Sequence, residues 1–208
     1  MRTHGWGGNP PASDEAARER LVQSATRCVD RLGPRTTLAD VAREAGVTRA
    51  TVYRYFDGPD ALFQAMSLAA ATGYIDRLIG RVENLAGPLD MAVEVFAYCL
   101  ETLPGEPHVG FLMRAHSGVF AAGAFSETGQ AATTWLLRRL PVDWASLGHD
   151  DASLDQLAEL MLRLLLSFLV GPRPGPAPDR PAPDREVLRR WLSGAVRPAL
   201  IAERSPNA

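Results

Sequence analysis

The chain has 208 residues, enough to bury a substantial core in one or two domains. Hydrophobic residues make up 46% and charged residues 22%, an ordinary balance for a soluble globular protein. A net charge of -2 argues against indiscriminate binding to nucleic acid, and no charged start followed by an apolar run marks a secretory signal.

The small net charge hides an asymmetry. Residues 1–58 carry nine arginines against seven acidic residues, and the remainder carry thirteen against seventeen. A mildly basic head on an acidic body fits a DNA reader attached to something else. Every cationic side chain is arginine, which reads as compositional bias rather than function.

In chain order, residues 1–12 hold several glycines and prolines and read as a flexible tail; Arg2 and His4 could touch the minor groove in the manner of an arm, and an uninvolved tail is the favoured reading. Ser13 is placed to cap a first helix, whose stripe Ala17, Leu21, Ala25, Cys28 and Leu32 faces inward until Gly33-Pro34 stops it. A second helix follows Thr37, with Leu38, Val41, Ala42 and Ala45 on one face and Gly46 as a left-handed stop. Thr48 caps a third helix that buries Val52 and Phe56. Two short helices around a glycine turn are the sequence form of a helix-turn-helix.

The chemistry of the third helix suits DNA. Arg49 and Arg54 can form paired bonds to a guanine edge, and Ala50 allows close approach to the bases. The hydroxyls of Thr37, Thr48, Thr51, Tyr53 and Tyr55 suit phosphate oxygens. These eight residues are the candidate DNA contacts.

The string TTLADVAREAGVTRATVYRYFDGPDALF, from Thr36 to Phe63, resembles the DNA-binding domain of the TetR family of bacterial regulators. The resemblance extends over about residues 13–63, a quarter of the chain, and implies a dimeric, all-helical regulator that binds DNA. It also implies that the body carries a ligand site. One departure is Pro59, where the family usually opens the next helix with a phosphate-gripping lysine. Proline still starts a helix well, and the amides behind it can face a phosphate.

A long helix is expected over residues 60–83, and another from Leu89 to Leu103. Between Pro104 and Gly129 repeated glycines weaken the pattern, each costing a helix about 1 kcal/mol relative to alanine. The apolar side chains there fit either a cavity that opens or a plain core. Helices then follow over residues 131–140 and 154–170, the second apolar around most of its circumference. Its apolar stretch, Leu157 to Val170, contains Glu159 and Arg163 and is too short to span a bilayer. Residues 171–183, rich in proline, read as an exposed linker, and a last helix begins at Asp184.

The expected architecture is all-α: a helix-turn-helix head over residues 13–58 and a helical ligand-binding and dimerisation body over 59–208. Leu165, Leu169, Leu188, Trp191, Leu192 and Ala195 are the candidate dimer interface, two helices from each subunit forming a four-helix bundle. Candidate ligand contacts are Met91, Phe96, Phe111, Met113, Arg114, His116, Phe120, Trp135, Met161 and Phe168, an apolar set with a few polar groups. They suggest a hydrophobic, flat or elongated small molecule as effector. Cys28 and Cys99 are expected as separate buried thiols in a cytoplasmic protein. His108 and His116 lack companions for a metal, and no phosphate loop or nucleophile elbow is present, so neither cofactor nor enzymatic activity is expected. The expected function is a ligand-responsive repressor bound as a dimer to a palindromic operator. The alternative is a constitutive DNA-binding module whose body only dimerises.

Overall fold

The computed structural model describes residues 6–170 and 183–195. Among these the chain forms ten α-helices and no strand. They divide into two compact units, one of residues 1–72 and 104–120, the other of 73–103 and 121–208.

The first unit is built on well-capped short helices. In α1 (Asp14–Leu32) the Ser13 hydroxyl accepts the Ala16 N–H at 3.1 Å, and Gly33 ends the helix with φ +58°. α2 (Leu38–Ala45) opens on a capping box between Thr37 and Asp40 and closes on Gly46, left-handed at φ +69°. α3 (Arg49–Tyr55) is capped by the Thr48 hydroxyl, which accepts the Thr51 N–H at 3.2 Å. Each cap satisfies amides that a helix start leaves open, so helices of seven and eight residues can persist against a shared core. That core contains Leu21, Val41, Val52, Leu62, Phe63 and Met66, all at most 1% exposed. Fully burying side chains of this size stabilises by roughly 1.5–3 kcal/mol each.

α4 (Pro59–Val82) supplies Leu62, Phe63 and Met66 to this core, and its later residues belong to the second unit. The first unit also takes in α6 (Pro107–Ala115), which the sequence assigns to the body. Phe111 packs edge-on against Phe63 with centroids 5.0 Å apart. His108 Nε2 lies 2.9 Å from Asp30, His116 Nδ1 lies 3.2 Å from Asp60, and Ser67 donates to the His108 carbonyl at 3.1 Å. The glycine at 110 has a physical reason. A Cβ there would lie 2.3 Å from the Pro104 carbonyl oxygen, so the close approach needs a bare backbone. The expected head boundary after residue 58 therefore differs from the division made by packing.

The second unit holds α5 (Pro88–Thr102), α8 (Glu127–Arg139), α9 (Asp151–Leu169) and α10 (Arg185–Ala195). α7 (Ser117–Ala124) straddles the division at Phe120. α8 packs on α9, and α10 packs on α5. Phe96, Leu157, Ala158, Leu188 and Leu192 form the heart of this core, each at most 3% exposed. Arg185 fastens α10 from outside, donating to Glu94 at 2.6 Å and to Glu101 at 2.7 Å. Its guanidinium, with that of Arg81, holds the Glu94 carboxyl below the usual carboxylate range. Cys28 and Cys99 are both buried and unpaired with each other. No helix among the described residues is long and apolar enough to cross a membrane.

Two expectations change here. The flexible tail does not extend over all of residues 1–12, because Trp6 is 3% exposed in the first unit's core. Leu188 and Leu192 are not free to form a subunit interface, because α5 and its neighbours in the same chain already cover them. An amphipathic stripe shows that a face is buried but not which chain buries it. Most of the proline-rich stretch, residues 171–182, lies outside the described residues, as do Arg2 and His4.

Candidate nucleic-acid interface

The exposed side of α3 follows from what its other side buries. Val52 at 0% and Phe56 at 7% anchor the helix to the core, which leaves Thr48, Arg49, Ala50, Tyr53 and Arg54 exposed. Thr51 is half-buried, its hydroxyl 3.0 Å from that of Thr48. Arg49 makes no ion pair among the described residues, so its N–H donors are unspent. A planar guanidinium with free donors on an exposed helix is suited to bidentate hydrogen bonding with O6 and N7 of guanine. Tyr53, 54% exposed, offers a hydroxyl beside it.

Other cations nearby are partly engaged. Arg27 and Arg31 both bond Glu44, at 2.9 and 3.1 Å, and Arg43 bonds Asp40 at 3.1 Å. Arg18 lies over the Phe56 ring at 5.2 Å. The expected contacts Thr37 and Tyr55 are placed differently from the rest. The Thr37 hydroxyl donates to Asp40 Oδ2 at 2.5 Å and accepts the Asp40 N–H at 3.3 Å, so it is spent on the helix cap. The Thr37 hydroxyl and the Thr37 N–H, both donating to it, hold the Asp40 carboxyl below its ordinary range. The Tyr55 ring is buried, 8% exposed, and its hydroxyl accepts a bond from Arg54.

Trp6, a residue that the sequence places in a flexible tail, packs against Tyr55 within the same core. Its ring meets Tyr55 edge-on at 6.2 Å. Its signal in the sequence is a single large aromatic inside Gly5-Trp6-Gly7-Gly8, which a solvated tail has no use for.

The expected ligand residues do not come together in one place. A cavity of about 120 Å³ lies within the second unit, lined by Leu78, Ala92, Val95, Phe96, Cys99, Thr133, Leu136, Leu137, Met161 and Leu165 among others. Of the ten candidates only Phe96 and Met161 line it. Met91 sits elsewhere in that unit's core, Trp135 is 44% exposed beneath Arg139, and Phe168 packs on Trp191. Phe111 and Phe120 pack in or against the first unit's core. Met113 is half-buried on α6, Arg114 bonds the Pro104 carbonyl, and His116 faces Asp60. The dimer candidates also divide. Trp191 is exposed, Leu165 and Leu169 are half-buried, Leu188 and Leu192 are buried, and the side chain of Ala195 lies outside the described residues.

A capped three-helix head presenting an arginine-bearing helix defines a helix-turn-helix DNA-binding protein. The profile described as "Bacterial regulatory proteins, tetR family" matches residues 21–66, the part that contains α2 and α3. An HTH-type transcriptional regulator of Mycobacterium tuberculosis, itself uncharacterized, is 24% identical over 195 residues, covering 91% of this chain and 90% of its own. The HTH-type transcriptional regulator BetI 2 of Chromohalobacter salexigens is 29% identical over 136 residues, 64% of this chain and 52% of its own. The crystal structure of the TetR family repressor AlkX from a Dietzia strain superposes with a TM-score of 0.55 at 16% identity, covering 92% of this chain and 97% of that one. Residues 21–66 thus match the DNA-binding domain of the TetR family of bacterial regulators, and the chain is similar over most of its length to an HTH-type transcriptional regulator.

Proposed function

We propose that the protein is a cytoplasmic, dimeric repressor that reads a palindromic operator and is released by an uncharged apolar small molecule. The observation that carries the reading is the exposed Arg49 on α3, with donors no other described residue engages. α3 enters the major groove, where Arg49 and Arg54 reach base edges and the hydroxyls of Thr48 and Tyr53 meet phosphates. Two heads on a two-fold axis read half-sites about 34–36 Å apart or a multiple of it.

The cavity of the second unit supports the effector. Its described wall offers three residues with polar groups, Thr133, Cys99 and Trp144, and no charged one, and the Trp144 N–H is already spent on the Leu137 carbonyl at 2.9 Å. Thr133 already donates to the Gly129 carbonyl at 2.9 Å, and burial pushes the Cys99 thiol up to about 11, so it stays protonated. A carboxylate or ammonium buried there has no counter-charge, which opposes entry of an ion. An apolar cavity of about 150 Å³ accepts benzene, so 120 Å³ suits a compound of similar size or the end of a longer hydrocarbon. α4 carries Leu78 of the cavity wall and Leu62 of the head core on one helix. A compound that binds one arrangement of that helix more tightly shifts the protein toward it, by its differential affinity and no more.

The test has two stages. Sequencing the DNA that purified protein retains from a fragmented genomic pool should yield one palindromic motif. Uncharged apolar compounds should then raise the melting temperature with concentration and release that DNA. Retention of random fragments would overturn the regulator reading. Operator binding that no stabilising compound relieves would leave a constitutive DNA-binding module.

A further inference from the structure

Trp6 is the described non-glycine residue with a positive φ, +74°. A bulky aromatic rarely adopts that conformation unless its surroundings impose it, so the outlier itself asks for a function. Its surroundings are unusually complete. The Trp6 N–H donates to the Gly46 carbonyl at 2.9 Å, in the turn between α2 and α3. Arg20 of α1 lies over the indole at 5.1 Å and donates to the Asn9 carbonyl at 2.8 Å and the Trp6 carbonyl at 3.4 Å. The indole edge meets Tyr55 at the far end of α3. One residue ahead of α1 therefore holds both the turn before the recognition helix and that helix's last residue.

The chain of contacts continues outward. The Arg54 guanidinium lies over the Tyr55 ring at 4.7 Å and donates to the Tyr55 hydroxyl. A guanidinium has five N–H donors in a fixed plane, so the ones left over point in directions set by the ring beneath it. An exposed arginine side chain otherwise samples many rotamers, and fixing it in advance lowers the entropy lost on binding.

We propose that Trp6 is a positioning residue for DNA recognition, which fixes the Tyr55 ring and through it the pose of the Arg54 guanidinium. This rests on the reading that α3 faces DNA. Trp6 itself touches no base. It acts on selectivity through Arg54, and its loss leaves Arg54 present but unaimed.

A double-mutant cycle on the full-length protein tests it, using the duplex enriched from the genomic pool and a random duplex of equal length. The readout is the ratio of the two affinities, because a merely destabilised protein loses both equally. Trp6→Ala should lower that ratio about tenfold in the wild-type background and less than about twofold in an Arg54→Ala background. Trp6→Phe, which keeps an aromatic edge for Tyr55 and a face for Arg20, should restore the ratio to within about twofold. Val29→Ala loosens the same core from α1 and should lower the melting temperature with the ratio unchanged. An equal loss of ratio in both backgrounds, or no loss for Trp6→Ala, overturns the positioning role. Failure of the wild-type protein to prefer any duplex overturns the DNA-facing reading as well, and so separates the two failures.

Discussion

Phe168 of α9 and Trp191 of α10 stack face to face, with ring centroids 5.6 Å apart and planes within 1°. Phe168 in turn meets Phe96 edge-on at 6.4 Å, so the stack is rooted in the second unit's core. Trp191 remains 48% exposed, so much of the indole is left open. If α9 and α10 form the subunit interface, this open part is where a second copy seats. Trp191→Glu should then give folded monomers with weak operator binding. Leu188→Ala should instead destabilise the second unit by about 2–5 kcal/mol, since Leu188 is fully buried within its own chain. Sedimentation and thermal melting distinguish the two effects. A wild-type protein that sediments as a monomer at micromolar concentration would end the dimer proposal.

Arg49 should carry base selectivity at one position of each half-site. Arg49→Ala is expected to cost about 1–3 kcal/mol at the enriched operator and to relax preference at a single base pair. Competition binding against a set of single-base operator variants measures this directly. An equal loss on operator and random duplex would show that the guanidinium contacts phosphate alone.

The head was legible because its information is local. Thr37, Gly46 and Thr48 announce the ends of α2 and α3 by side-chain chemistry alone, and the structure gives each the expected cap. The stretch from Pro104 to Gly129 was not, because its glycines answer to distant backbone. Gly110 is set by the Pro104 carbonyl, and at Gly129 a Cβ would lie 2.3 Å from the Ala124 carbonyl oxygen. A helix-weakening residue chosen for close packing looks, in sequence, like a weak helix. Trp6 was hidden for a related reason. Its partners Gly46 and Tyr55 lie 40 and more residues away, and no periodicity connects them. The ligand candidates were scattered by topology. α6 and the start of α7 belong with the head by packing, which removes Phe111 and Phe120 from any cavity in the second unit, while Leu136, Leu137 and Leu165 take their place.

Glu94 should give the second unit a dependence on acid. Bonds from Arg185 and Arg81 hold its carboxyl below the ordinary value of 4.5. The unfolded chain therefore binds more protons than the folded one between the two values, and stability rises with pH across that window. The contribution is fully present above about pH 4.5 and disappears as pH falls through the folded value. Arg185→Gln should flatten this part of the profile, seen as a smaller change in urea midpoint between neutral and acid pH. An unchanged profile would show that Arg81 alone sustains the effect.

Thr37 offers the last test, and it separates folding from recognition at one hydroxyl. The sequence suggests a phosphate contact, while the structure spends the hydroxyl on Asp40, accepting its N–H and donating to its carboxylate. The Asp40 carboxylate accepts the Thr37 N–H in return at 3.0 Å, which completes the box. A hydroxyl has one hydrogen to give, and this one is committed. Thr37→Ala should therefore lose about 1 kcal/mol of stability through the cap. Thr37→Ser should keep it. The Asp40 carboxyl, held down chiefly by Thr37, should titrate closer to its ordinary 3.8 in the alanine variant, which carbon-detected NMR can follow. Under conditions where both variants are folded, operator affinity and its salt dependence should match the wild type. An equal loss of affinity on operator and random duplex in the alanine variant would instead assign Thr37 to the phosphate backbone, because a neutral hydroxyl bonded to phosphate contributes without regard to sequence.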